Sequence, residues 1–151
     1  MMLLSRRSVL GIAAVVDIAV HCKLAPVAAK HLAERNKLPP RHLETLLQAL
    51  VRDGILKGIR GPRGGYELGR DRRHISAGQI ARAAMAAGDE DFPAGAPESP
   101  LVAHVVGPAI LSASTAFLAM LDELTVDTLC RNAESSGIFG RDDDTTVDFT
   151  I

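Results

Sequence analysis

A chain of 151 residues, 47% hydrophobic and 23% charged, is long enough for a single domain with a real core. Its 17 Lys and Arg against 18 Asp and Glu give a formal net charge of −1, which taken whole argues against a partner as anionic as nucleic acid. The distribution reverses that conclusion: residues 1 to 88 carry 15 basic and 6 acidic side chains, whereas residues 89 to 151 carry 2 and 12. The pattern is that of a basic module that meets nucleic acid or an acidic surface, joined to an acidic part that does not. The two cysteines, Cys22 and Cys130, are too few for a disulfide scaffold or a Cys-only zinc site and point to a reducing, cytoplasmic setting. With one tyrosine, four phenylalanines and no tryptophan, the core is left to Leu, Val, Ile and Ala, a composition that favours close-packed helices. No uninterrupted apolar run approaches the roughly 20 residues that span a bilayer, so no membrane association is expected.

At the start, Ser5-Arg6-Arg7-Ser8-Val9-Leu10 followed by small apolar residues imitates a twin-arginine export signal, which would remove the segment from the fold. Asp17, His21 and Lys23 interrupt the apolar region, and no clean small-x-small cleavage site precedes Cys22. A buried first helix fits better, with Leu10, Ala14, Ile18 and Cys22 along an apolar stripe and Arg6, Arg7 and Asp17 at its margins. Pro26 ends it. Residues 27 to 35 read as a short helix with Val27, His31 and Leu32 facing the core, and residues 36 to 39 as a turn. Pro40 suits the first position of a third helix, since its missing N–H costs nothing there. Leu43, Leu46, Leu47, Leu50 and Val51 then form its core face, while Arg41, His42, Glu44, Thr45, Gln48 and Arg52 face outward and Gly54 caps the end. Two short helices joined by a turn in a basic segment outline a helix-turn-helix.

Residues 55 to 60 and 66 to 68 read as strands around Gly61-Pro62-Arg63-Gly64-Gly65, a basic hairpin whose Gly64 and Gly65 let backbone approach phosphate while Arg60 and Arg63 reach a minor groove or its flanking phosphates. A further helix starts at the cap residue Ser76 and runs to Gly88. Residues 89 to 100 are a Gly, Pro, Ala and acid-rich linker. Residues 101 to 121 are apolar and broken at Gly107-Pro108. Beyond the break, Ile110, Leu111, Ser114, Phe117, Leu118 and Leu121 recur at helical spacing and require a partner. Residues 122 to 133 supply a last short helix, and residues 134 to 151 an acidic tail expected to be disordered. The fold class is therefore mainly α with a small β-hairpin: a winged helix-turn-helix domain over residues 1 to 88, a linker over 89 to 100, dimerisation helices over 101 to 133, and the tail.

These residues resemble the Rrf-two family of bacterial winged-helix transcription regulators. Arg60-Gly61-Pro62-Arg63-Gly64-Gly65-Tyr66 differs from that family's wing signature only in having Arg63 at a glycine position. His42-Leu43-Glu44-Thr45-Leu46-Leu47 is similar to its recognition helix, Asp53-Gly54-Ile55-Leu56 to its strand entry, and Leu121-Asp122-Glu123-Leu124-Thr125-Val126-Asp127-Thr128-Leu129 to its ending; the likeness spans about residues 3 to 133. The resemblance implies a homodimer, a repressor on a pseudo-palindromic operator in double-stranded DNA, whose long C-terminal helices cross. It also implies, for several members, an iron–sulfur cluster held by three cysteines in the loop before the dimer helix. Residues 88 to 101 contain no cysteine, and His104 alone cannot hold such a cluster, so no cofactor and no metal are expected.

On this reading Pro40, Arg41, His42, Thr45 and Gln48 lie at phosphates and base edges, and Glu44 can accept from cytosine N4 and reject wrong bases. Cys22 and Cys130 sit on apolar helix faces as core residues by default, with a thiol-based redox switch as the alternative. The five histidines show no metal-ligand spacing; His31 reads as core. Nothing resembles a phosphate loop, an ordered triad or a carboxylate cluster, so an enzyme is not expected, and a pure protein adaptor would leave the basic wing unexplained. The acidic loop and tail are repelled by phosphate and stay off the duplex.

Overall fold

The computed structural model describes residues 4 to 37, 39 to 87 and 99 to 139. Six α-helices and one antiparallel hairpin follow in the order α1 (Arg6–His21), α2 (Ala29–Asn36), α3 (Pro40–Arg52), β1 (Leu56–Ile59), β2 (Gly65–Leu68), a 3₁₀ turn (Arg72–His74), α4 (Ala77–Ala86), a π turn (Val102–Val106), α5 (Gly107–Asp122) and α6 (Val126–Ser136). Helix α1 is the hub. Ser5 caps its start by accepting from the Ser8 N–H at 3.2 Å, and Ala14, Val15, Ile18 and Ala19 are buried along its length. Gly11 lets α3 and α4 close on it: a methyl there would touch Leu46, Ile80 and Ala84 at 3.4 to 3.6 Å. The segment that imitates an export signal is thus a core element of the fold.

Leu43, Leu46, Leu47 and Leu50 of α3 complete the core with Ile55, Ile75, Ile80 and Ala84, and truncating such a leucine costs about 2–5 kcal/mol. Helix α3 ends as expected, with Gly54 at φ 73° after Asp53. Helix α4 begins with a full capping box, in which Ser76 accepts from the Gln79 N–H and Gln79 accepts from the Ser76 N–H, at 3.2 and 3.1 Å.

Four sequence expectations change. Asp17 is not marginal but buried, 2% exposed, because Arg35 and Asn36 of α2 reach across to it. His31 is exposed and pairs with Glu34 rather than the core, and Val27, though buried in the core as expected, precedes α2 on a β-bridge instead of belonging to the helix. The Gly107-Pro108 pair does not break the apolar stretch. Pro108 lacks an N–H and crowds the carbonyl four residues before it, and the widened π turn at Val102–Val106 absorbs both problems, so the helix runs continuously into α5. Ala103–Asp122 is consequently one helix long and apolar enough, by length and composition, to cross a membrane, with none of it buried within the chain. Lastly, α6 extends to Ser136, past the expected boundary at 133, and Gly137 at φ 67° caps it. The linker at 89 to 98 and the tail from 140 onward lie outside the described residues.

Candidate nucleic-acid interface

Pro39 and Pro40 start α3 without a side-chain cap, and the helix turns its leucines inward. Everything the periodicity leaves on the other side is exposed: Arg41, His42, Glu44, Thr45, Gln48 and Arg52, with Pro40 at the entrance. Thr45 makes only a 3.5 Å contact to the Arg41 carbonyl, so its hydroxyl is available outward.

The hairpin stands beside this face. Leu56 pairs with Leu68, Lys57 with Glu67, Gly58 with Tyr66 and Ile59 with Gly65, leaving residues 60 to 64 as the tip. The Gly64 N–H donates to the Gly61 carbonyl at 2.9 Å across that tip, and Gly61 takes φ 115°, a backbone that side chains rarely adopt. On its outer edge β2 pairs with the segment before α2, Tyr66 and Val27 exchanging two N–H to carbonyl bonds of 2.8 Å. This explains Gly64 and Gly65 differently from the sequence reading. A Cβ at Gly65 would collide with the Val27 carbonyl, and one at Gly64 with the Ile59 carbonyl. Both glycines serve the hairpin's own packing.

The charges divide sharply. Arg35 bonds Asp17, Arg72 and Arg131 bond Asp127, Arg73 bonds Asp71, and Arg82 bonds Asp122. Arg41, Arg52, Arg60 and Arg63 have no acidic partner among the described residues and are all exposed. Those five arginines are thus neutralised internally and Lys57 on β1 pairs with Glu67, whereas the arginines of α3 and the wing tip are left free to meet external anions. Glu44 is the exception. It lines a groove of about 620 Å³ with Lys30, Glu34, Pro40 and Tyr66, between α2, α3 and the root of the wing. Burial, and then the Glu44 charge, push the Tyr66 hydroxyl above its ordinary pKa, which places the carboxylate near the wing root on the same face as the free arginines.

The remaining sequence-predicted positions lie elsewhere. Cys130 is fully buried in α6, and burial pushes its thiol up despite the nearby Arg72 guanidinium; Cys22 is half-buried at the end of α1. Among the described residues no group of three or more His, Cys, Asp or Glu side chains is placed to hold a metal. On α5, Ile110 and Leu111 are 61% and 68% exposed and Ser114 is exposed, while Phe117, Leu118 and Leu121 are half-covered by the chain itself.

A joint that sequence reasoning missed ties α5 and α6 to the head. Ala77 N–H donates to the Leu124 carbonyl and Val126 N–H to the Ile75 carbonyl, both at 2.8 Å. Arg72 bonds Asp127 at 2.8 Å, and Arg82 grips Asp122 with both terminal nitrogens, the Nη2 bond being 2.9 Å. Asp122 lies directly over Gly78, where any side chain would strike it. The buried Asp17 was equally unforeseen, although a lone acid inside an apolar helical stripe is the signal of a buried pair.

The fold and face are those of known regulators. The family model described as iron-dependent transcriptional regulator, Rrf-two, matches residues 4–132. The chain belongs to the Rrf-two family. A helix-turn-helix-type transcriptional regulator of Synechocystis is 40% identical over 92 residues, 61% of this chain and 62% of that protein. The regulator IscR of Serratia proteamaculans is 34% identical over 70 residues, 46% of this chain and 43% of its own length. These relatives are thus matched over only about half of their length. Two solved structures are similar over nearly the whole chain. T. potens IscR has a TM-score of 0.69 at 29% identity, covering 89% of this chain and 90% of that one. CymR, the global cysteine regulator of B. subtilis, has a TM-score of 0.64 at 26% identity, covering 87% and 98%. Like other Rrf-two proteins, the chain is a winged-helix transcription regulator in fold and family. Residues 88 to 101 carry no cysteine, and of the chain's two cysteines Cys130 is buried in α6.

Proposed function

We propose that this Rrf-two protein is a sequence-specific DNA-binding repressor that acts as a homodimer on a pseudo-palindromic operator, in the cytoplasm and without an iron–sulfur cluster. The observation that carries the reading is the set of arginines on α3 and the wing tip, Arg41, Arg52, Arg60 and Arg63, which are exposed and without acid partners among the described residues, whereas Arg35, Arg72, Arg73, Arg82 and Arg131 are each paired with an acid. In the proposed complex the exposed face of α3 enters the major groove, Pro40 leads it in, and Arg41, His42, Thr45 and Gln48 reach phosphates and base edges. Arg60 and Arg63 at the wing tip neutralise flanking phosphates, with Gly64 and Gly65 holding the tip in shape. Glu44, close to the wing root, sets base preference by accepting from cytosine N4 and repelling misplaced acceptors.

The exposed Ile110, Leu111 and Ser114 of α5 are the dimerisation surface together with the half-covered Phe117, Leu118 and Leu121. The tie of Asp122 to Arg82 at the end of this helix supports a protein mate over a lipid one, since it holds the helix to a charged head. A redox-sensing version of the same reading uses Cys22, the more accessible thiol, and not Cys130, whose pKa is raised. Titration of random and genome-selected duplexes at several salt concentrations tests the proposal. A DNA-binding regulator binds random duplex with a steep inverse salt dependence and selected sites at least about a thousandfold more tightly; absence of binding at low salt overturns it.

A further inference from the structure

The groove of about 620 Å³ between α2, α3 and the root of the wing has the size of a small-ligand site, for which about 300–1,000 Å³ is usual. Its apolar lining comes from Ala29 and Ala33 of α2, Pro40 at the start of α3 and the body of Tyr66. Ala33 is buried, and the Tyr66 backbone is pinned to Val27 by two bonds of 2.8 Å, so this wall is preformed. The charges are Lys30 and Glu34, four residues apart on α2, and Glu44 on α3. Residues at that spacing share a helix face, so Lys30 and Glu34 offset each other and Glu44 is left as the surplus charge. Among the described residues the Glu44 carboxylate has no hydrogen bond and no ion pair, and the Tyr66 hydroxyl has no hydrogen bond. The two are close enough that the Glu44 charge, after burial, helps to push the Tyr66 hydroxyl above its ordinary pKa. An unpaired carboxylate, an electron-rich ring and an apolar wall are what an organic cation needs: a counter-charge, a π face and cover for its chain. An anion would meet two carboxylates against one ammonium, and a neutral apolar molecule would desolvate Glu44 without pairing it.

We propose that this groove binds a small organic ammonium compound, its cationic head at Glu44 and Tyr66 and its apolar part on Ala29, Ala33 and Pro40, and that the ligand competes there with DNA. The competition rests on the DNA-binding reading, in which Glu44 faces base edges; the ligand site itself does not. A cation held by Glu44 takes the carboxylate away from cytosine N4, and the body of the ligand fills the space between the recognition helix and the wing root. The free arginines on this face oppose a cation only at long range, where salt screens them over about 8–10 Å, whereas the pairing with Glu44 is direct. Linkage makes the effect mutual: the factor by which the ligand weakens DNA binding is the factor by which DNA weakens ligand binding.

Tyr66 is the chain's one tyrosine and there is no tryptophan, so intrinsic tyrosine fluorescence reads this groove directly. The full chain is titrated with hexylammonium, and with hexanol and hexanoate as neutral and anionic counterparts, at constant ionic strength and without DNA. Hexylammonium is expected to give a saturable change with a half-point of about 1 mM, and the other two at least about tenfold weaker responses. Glu44→Gln raises the hexylammonium half-point at least about fivefold, whereas Glu67→Gln, which removes an acid paired with Lys57 on the hairpin, leaves it unchanged. Equal responses to hexylammonium and hexanol overturn the site, as does a Glu44→Gln protein that responds like the native one. The second arm measures affinity for a random duplex at low salt, with hexylammonium or an equal concentration of sodium. A loss of affinity specific to hexylammonium and absent from Glu44→Gln supports the competition; equal effects of the two cations overturn it. If the native protein binds no duplex at low salt, the DNA-binding reading and the competition fall together, and the fluorescence arm still decides the ligand site.

Discussion

Asp17 and Arg63 are both charged residues in the basic half, yet their settings give them opposite work. Asp17 is buried and accepts from Arg35, Asn36 and His21, so it joins the end of α1 to the end of α2 just before the turn. Breaking such a pair strands a guanidinium, and since the Arg35 side chain is 36% exposed, the cost falls at the lower end of the range for buried pairs. Asp17→Asn is expected to lower stability by about 3 kcal/mol, read as a shift of the urea midpoint at unchanged slope. Arg63, exposed at the wing tip without an acid partner among the described residues, carries little stability, and on the proposed reading its removal acts on binding. Arg63→Ala should weaken affinity for every duplex sequence and reduce the salt slope by about 1. Glu44→Ala, in contrast, should leave the salt slope nearly unchanged and alter base preference, measured by selecting sites from a random pool with each variant. If the two variants behave alike, the division between phosphate contact and base readout is wrong. The outward face of α3 and the wing arginines were legible in sequence because helical period and turn glycines are local signals. The partner of Asp17 was not, because it lies 18 residues on, in another helix.

Elements couple through contacts that period cannot reveal. The sequence places a helix at α4 and another at α5 correctly but gives no sign that Gly78 is the floor on which Asp122 rests, or that Arg82 grips that carboxylate. It also misjudges Pro108, since a proline's effect depends on whether the preceding turn can widen, as Val102–Val106 does. The Arg82–Asp122 joint has a pH signature. The guanidinium beside Asp122 holds its carboxyl below the usual carboxylate range, so the pair is intact at neutral pH. With a lowered folded pKa, its contribution is complete above the unfolded value near 4 and is lost as pH falls through the folded value. Both side chains are close to half exposed, at 45% and 41%, so the contribution is modest and weakened by salt. Thermal melts below about pH 4 should show a steeper loss of stability for the native protein than for Asp122→Asn, which is less stable at pH 7 and has less to lose. Parallel acid limbs for the two would remove the joint from the account.

At the scale of the whole molecule, the basic head and the apolar α5 make sense only together. A single head offers one α3 and one wing, a footprint that gives electrostatic affinity with limited sequence discrimination. Two heads held rigidly over successive major grooves convert the second contact into an intramolecular event, worth about 10²–10⁴ in apparent affinity when the spacing matches. Helix α5 is joined to the head by Asp122, Leu124 and Val126, so in the proposed dimer the geometry of the pair would be passed to the recognition helices through this joint. Replacing Ile110 and Leu111, the most exposed apolar side chains of the predicted interface, by Glu puts four carboxylates into a two-copy contact without disturbing the core of the head. The double variant is expected to sediment at half the native mass and to keep its helical content. It should lose at least about a hundredfold in affinity for a two-half-site operator, while its affinity for random duplex at low salt changes little. If the variant remains dimeric, the mate is held elsewhere. If instead the native protein alone cosediments with neutral lipid vesicles, the exposed apolar helix faces a bilayer and not a second copy.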